Sequence, residues 1–362
     1  MIVEGQKPIP DLSVLPTRKG WPWLRLSLSL AFGLFVLWYV ARQTPLAEIG
    51  RTLAQVQPGY FLLSLTLVVV TIIVRAWRWH LTFQPPGPRP NFRPIFWSLT
   101  FGQLLNLVLP FRMGDIARLV KLESWSHAGT TRTLGTIVVE KALDMAALGL
   151  SLLLVLPLAT VFLGGSPWLI AAATLVALIG LYLLAYQGEA LIHLSQKIEP
   201  WLPTKLAHQI HRWLVTGLGG LDALRYQQAN LRLVGLTGLV SILSIATPLA
   251  LFPALSLPFG LGEAILLHVV LTFGSVPSST PLNVGVFEGI TILLLRQFGV
   301  MDDAVSLTYA FLWHMALVVP QVTLGGIAAA LRVPQPIPSP TVGETDPQPE
   351  LVPTRSPEFP YP

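Results

Sequence analysis

Leu104-Leu105-Asn106-Leu107-Val108-Leu109-Pro110-Phe111-Arg112-Met113-Gly114-Asp115-Ile116-Ala117-Arg118 decides how this chain folds. An apolar run stops at a proline, and a charged cluster follows at once, with Lys121 and Glu123 close behind. The next apolar segment carries Glu140, Lys141 and Asp144 within it. Ionisable groups at membrane depth cost about 2.5–3.5 kcal/mol each on insertion scales, so they persist where they line a cavity or serve a function. The cluster is therefore the first candidate site.

The membrane premise comes from composition. Of 362 residues, 52% are hydrophobic and only 11% charged, with a mean hydropathy of +0.63. Soluble domains carry roughly 25% charged residues. The expected class is an all-α polytopic membrane protein. The net charge of +5 fits basic cytoplasmic loops, which also meet anionic lipid head groups. With no cysteine, disulfides, thiolate catalysis and cysteine-based metal sites are excluded.

A spanning helix needs roughly 20 apolar residues. Trp23–Ala41, Gly59–Trp77, Leu134–Phe162, Trp168–Tyr186, Leu233–Leu255 and Ala304–Leu331 satisfy this, giving about six full spans. Trp23–Ala41 lacks a cleavage site after it and reads as a retained helix. Two other places hold segments that are too short: Pro94–Leu109, and the pair Gly262–Val276 and Val284–Val300, broken at Pro277-Ser278-Ser279-Thr280-Pro281. Lys7, Arg18, Lys19 and Arg25 place the N-terminus inside the cell. Arg112, Arg118, Lys121 and Arg132 stay inside only if Pro94–Leu109 dips in and returns. The broken pair then enters from the outside, and both termini are cytoplasmic. Two re-entrant regions on opposite sides suggest an inverted repeat, although no residue-level self-similarity supports it. Irregular backbone at that depth must line a cavity or be buried in protein.

The expected organisation is a cytoplasmic segment over 1–22, a membrane domain over 23–332 and a proline-rich tail over 333–362. Within the domain, 187–232 is a basic loop. It reads equally as amphipathic surface helices, with Leu191, Leu194, Ile198 and Leu202 on one face, or as an ordinary helical connection. The tail holds ten prolines in thirty residues and reads as disordered.

Arg112 and Arg118 offer planar forks suited to a phosphate. Gly114 and Asp115 sit where a helix begins, and Asp115 is a candidate cap. Glu140 and Asp144 share a helix face, and Lys141 and Asp144 have pairing distance. These charges either neutralise the arginines, couple a proton or cation, or form a purely structural ion network. Glu288 is a further carboxylate in an apolar run. Arg75-Ala76-Trp77-Arg78-Trp79-His80 closes a span and reads chiefly as an interface anchor, with Arg75 deep enough to reach a cavity. His314, Tyr309 and Gln321 lie on the last span and read as interhelical hydrogen-bonding groups, with Pro320 kinking the helix.

The chain has no nucleotide-binding glycine loop, no HExxH and no GxSxG. ATP-driven transport by this chain alone has no basis, and no cofactor, metal site or nucleic-acid partner is expected.

Four elements in order resemble the lysylphosphatidylglycerol synthase transmembrane family, also called flippase-like proteins. They are Arg75-x-x-Arg78-Trp79; Gly102-x-x-x-Asn106-x-x-x-Pro110-x-Arg112-x-Gly114-Asp115-x-x-Arg118; Glu140-Lys141-x-x-Asp144; and Pro281-x-x-x-Gly285-x-x-Glu288. The last departs from the usual form, since Leu282-Asn283-Val284 stands where glycines are common. The resemblance covers roughly residues 20–332. It implies a membrane module that moves a lipid between leaflets. In a translocase, Arg75, Asn106, Arg112, Gly114 and Arg118 are expected to bind the lipid, and Asp115, Glu140, Lys141, Asp144 and Glu288 to balance charge or couple protons. The proline-rich tail stands where the synthases carry a soluble aminoacyl-transfer domain, so lipid synthesis is not expected. Three classes remain open: a translocase of phospholipid or lipid-phosphate, a membrane-embedded transferase acting on a lipid-linked head group, and a non-catalytic membrane subunit of a cell-envelope enzyme.

Overall fold

In a computed structural model, residues 46–83, 89–109, 113–126, 128–163, 172, 227–275 and 280–331 are described. The expected spans Trp23–Ala41 and Trp168–Tyr186, most of the 187–232 loop, both terminal segments and Arg112 lie outside them. The described residues are helical, without strands. In chain order they form α1 Leu46–Gln55, α2 Pro58–Thr82, α3 Phe92–Val108, α4 Gly114–Ser126, α5 Thr130–Leu154 and α6 Leu156–Leu163. Then come α7 Gln227–Leu251, α8 Leu261–Ser275, α9 Val286–Gln297 and α10 Asp303–Ala330.

Among the described residues, three helices are long and apolar enough to cross a membrane: Pro58–Thr82, Leu231–Leu255 and Asp303–Ala330. Each overlaps an expected span. Pro58 starts α2 at a position where its missing N–H costs nothing. Asp302 caps α10, its carboxylate accepting from the N–H of Ala304 (2.8 Å) and Val305 (3.1 Å). The expected span Leu134–Phe162 holds two helices, α5 and α6. The helix stops at Leu154 and restarts at Leu156. Pro157 offers no N–H to the carbonyl of Leu153 and its ring crowds that carbonyl, which breaks a continuous helix there.

The short segments fold as two helical hairpins. In the first, α3 and α4 run antiparallel, and the pairs Asn106–Asp115, Gly102–Arg118 and Phe101–Lys121 meet across them. Their backbones nearly touch: a Cβ on Gly114 would collide with the carbonyl oxygen of Gly102 and with Asn106. In the second, α8 and α9 turn back on each other, with Gly274 against Ile290 near the tip and Phe259 against Phe298 (5.5 Å between rings) at the base. At about 1.5 Å per residue, the longest arm, the 17-residue α3, is only about 25 Å long. A hydrocarbon core is about 30 Å thick.

The hairpins enter from opposite ends. Helices α2 and α7 lie antiparallel along each other: the Ser64 hydroxyl donates to the Thr247 carbonyl (3.1 Å), and Arg78 Nη1 donates to Thr237 Oγ1 (3.3 Å). At the end holding Trp79 and Phe83, an apolar cluster packs Ile95, Leu99, Leu119 and Leu122 of the first hairpin. At the other end, where the Gln57 N–H donates to the Ala254 carbonyl, a second cluster packs Phe252, Ala264, Leu295 and Tyr309 with the base of the second hairpin. Both tips therefore point inward. The turn Pro281–Asn283 of the second hairpin contacts α3 of the first. Apolar packing holds each end, and polar groups collect between them.

Candidate functional site

Between the tips lies a cavity of about 350 Å³. Its wall brings together Arg75 of α2, Asn106 of α3, Asp115 and Arg118 of α4, and Glu140 and Lys141 of α5. These six come from four helices and from three of the sequence elements noted above. Arg75, expected to be deep enough to reach a cavity, does line it.

Arg118 is the centre of the set. It is 2% exposed, and its Nη1 donates to Glu140 Oε2 at 3.0 Å. Its Nε lies 3.4 Å from Asp115 Oδ1, and its guanidinium lies over the ring of Trp79, 4.8 Å from the centroid. Trp79 is itself fixed, its Nε1 donating to Thr136 Oγ1 on α5 (2.9 Å). A buried guanidinium held by carboxylates on one side and an aromatic face on the other keeps one orientation. Asp115 does not act alone on Arg118: its other oxygen faces Lys141 Nζ at 3.4 Å, and Asn106 Nδ2 donates to Oδ1 at 3.4 Å. The half-exposed Lys141 makes this the weakest link, since such pairs contribute about 0–1 kcal/mol.

Two sequence expectations change here. Lys141 and Asp144 do not pair with each other. Lys141 faces Asp115, while Asp144 Oδ1 accepts from Arg78 Nη1 at 2.7 Å. Three residues along a helix allow contact, but a partner on another helix is nearer. The second change concerns Arg78, which is fully buried and is no interface anchor. Its neighbour Trp77 is 53% exposed and does fit that role. The helical turn places residues 77 and 78 on different faces, and only the spacing Arg75-x-x-Arg78 marked the inward one. His268 of α8 also lines the cavity, with no sequence signal beyond its being a polar residue in an apolar run.

The second tip is built differently. Leu282 and Asn283 have φ of 58° and 57°, and Gly285 has φ of 83°. Such left-handed backbone favours glycine and costs other residues about 1–2 kcal/mol each. Glu288 is buried and does not line the cavity as Arg118 does. Its Oε2 accepts from the Gly285 N–H (2.7 Å), capping α9. Its Oε1 lies 2.5 Å from Nδ1 of His314. The second ring nitrogen of His314 contacts the Leu282 carbonyl at 2.8 Å. His314 and Gln321 both reach the cavity, as a shared helix face requires. Tyr309 lies outside it, its hydroxyl donating to the Pro248 carbonyl of α7 (2.8 Å).

Several buried donors and acceptors around the cavity have no protein partner among the described residues: Nη2 of Arg118, Nε of Arg75, Oδ1 of Asn106 and Oγ1 of Thr280. A buried polar atom left without any partner costs about 1–3 kcal/mol. Among the described residues, no group of histidine and acidic side chains is arranged to hold a metal.

Residues 26–325 match the family described as the lysylphosphatidylglycerol synthase TM region. The chain belongs to this family. It is a family of membrane domains, and with three apolar helices of spanning length among the described residues this is a multi-pass membrane protein. The chain is also similar to a UPF0104 membrane protein of Methanocaldococcus jannaschii, with 26% identity over 123 residues. That match covers 33% of this chain and about a third of the relative's own length (35%).

Proposed function

We propose that this family member binds the phosphate of a phospholipid or lipid-phosphate in the cavity and carries the head group between leaflets. The observation that carries the reading is the meeting of two opposed hairpin tips at a polar cavity whose arginines keep unpartnered N–H donors. Arg75, Arg118 and Lys141 face Asp115 and Glu140 there, three cations against two carboxylates, so an added anion is balanced. Guanidinium forks match phosphate geometry. About 350 Å³ lies at the small end of ligand pockets and suits a head group without its acyl chains. The tails would stay in the lipid while the head passes.

In this reading Arg75, Arg118 and Arg112 bind phosphate, Asn106 adds a polar contact, and Gly114 lets the arms of the first hairpin close up. Glu140, Asp115, Lys141 and Asp144 hold the cations in place. The two hairpins are re-entrant, one from each side of the membrane, and alternate access would come from their relative movement. A family of lysylphosphatidylglycerol synthase membrane regions agrees with a lipid cargo.

The test uses the full chain in liposomes with head-group-labelled phospholipids, following loss of label to an outside reductant. Wild type should speed the loss, and Arg75→Gln and Arg118→Lys should abolish it. No acceleration over empty liposomes across anionic and zwitterionic lipids would overturn translocation. A chemically altered lipid recovered from the vesicles would favour a transferase instead.

A further inference from the structure

The Glu288–His314 contact fixes how many protons it holds. A carbonyl only accepts, so the ring nitrogen facing the Leu282 carbonyl must carry a hydrogen. That leaves Nδ1 facing Glu288 Oε1 at 2.5 Å. With an ionised Glu288 and a neutral ring, the Nδ1 lone pair would confront a carboxylate oxygen, a repulsive contact. The close approach therefore requires one further proton between them, on the carboxyl or on the ring. Either way the pair is neutral overall. The same two side chains hold the second tip: Glu288 binds the Gly285 N–H, His314 binds the Leu282 carbonyl, and Phe287 stacks on the imidazole (4.4 Å, 15°). The turn between these contacts has three left-handed residues, two of them not glycine. A turn so built relaxes when its tethers are cut.

We propose that Glu288 and His314 together form a proton-binding site that ties the tip of the second hairpin to α10, and that releasing their shared proton into the cavity frees the tip. The balance is simple. The pair goes from neutral to one negative charge, the proton passes to cavity water, and the carboxylate–imidazole contact is lost. His314 lines the cavity, so the proton has a route. The charged and titratable groups sharing that cavity are Arg75 of α2, Asp115 and Arg118 of α4, Glu140 and Lys141 of α5, and His268 of α8. In the cavity wall α3 and α7 supply only neutral polar or apolar groups, and α1 none. Arg296 of α9 and Asp303 of α10 pair with each other at the opposite end of those helices (2.7 Å). The cationic excess of the cavity favours the deprotonated, negative pair, and an arriving anionic head group favours the protonated one. Cargo and proton would thus enter together. That last coupling rests on the translocation reading; the proton site itself does not.

The chain has no cysteine, so Thr280→Cys puts a single thiol on the buried tip. Glu288→Gln imitates the protonated state, its amide oxygen accepting from Gly285 and its NH₂ donating to Nδ1. The full chain in phosphatidylcholine–phosphatidylglycerol nanodiscs would be treated with a neutral methanethiosulfonate from about pH 5 to about pH 9, on either side of the value of a free imidazole. Dividing the parent rate by the Glu288→Gln rate at each pH cancels the ionisation of the thiol. The ratio should begin near one and rise about tenfold or more towards high pH, as expected for local opening. His314→Phe should react fast throughout. A flat ratio across the range overturns the proposal, whatever the third variant does. Lipid movement measured on the same proteins separates the two readings. A rising ratio without lipid movement keeps the proton site and removes translocation, and the converse removes the proton site alone.

Discussion

The two hairpins share a shape and differ in how their tips are held. The tip of the first is fixed by charge: Arg118, Asp115 and Asn106 are tied to one another and to Glu140 and Lys141 of α5, with glycines allowing backbone contact. The tip of the second is fixed by one carboxylate, one imidazole and a strained turn. Several ion pairs from different helices make the first a rigid frame, because breaking any one leaves the others. The second depends on two side chains, Glu288 and His314, and on the turn they hold. In a cavity between them, the first is suited to hold a ligand and the second to move.

The sharpest way to break this comparison is at Arg118. Removing one member of a buried pair costs about 3–5 kcal/mol, since the other charge stays buried. Arg118→Met should lose about that much in thermal or denaturant unfolding in detergent, and Arg118→Met/Glu140→Leu should recover most of it. Equal losses in the single and double variants would mean that Glu140 is compensated elsewhere and the frame is not centred on this pair. Gly114→Ala should come next. Its methyl meets the Gly102 carbonyl and Asn106, and overpacking of this kind costs about 1–3 kcal/mol. Gly326, with open space around it, is the control: its alanine variant should be neutral or slightly stabilising. The smallest effect belongs to the second tip. Leu282→Gly relieves about 1–2 kcal/mol of left-handed strain and adds unfolded-chain entropy worth about 0.5–1 kcal/mol. The net gain should be under about 1 kcal/mol, visible as a slight rise in melting temperature. A marked loss would mean that the Leu282 side chain, and not only its carbonyl, holds the turn.

Much of this was legible in the sequence, for physical reasons that also explain the omissions. Pro110 and Gly114 interrupt an apolar run that is too short to span, and in the structure α3 ends at Val108 and α4 begins at Gly114. Charges inside apolar segments must find partners, and Arg118 with Glu140 did. Which partner each charge finds is a matter of helix rotation and depth, which a single sequence does not encode. Hence Asp144 was read against Lys141 when it pairs with Arg78, and Arg78 was read as an anchor. The break at Val155 was hidden because Pro157 sits in an otherwise continuous apolar stretch. His314 is visible as a polar residue on a span, but its partner, 26 residues earlier in sequence on the second hairpin, is not.

The central claim is that the two tips form one cavity through which a lipid head group moves. Its most direct test uses the cysteine-free chain with Asn106→Cys and Asn283→Cys, one on each tip. A short bifunctional thiol reagent with a reducible spacer would join them in liposomes. Cross-linking should form within one chain and stop movement of labelled phospholipid, and reduction should restore it. Failure to cross-link in the intact protein, or lipid movement that continues unchanged with the tips joined, would contradict the account.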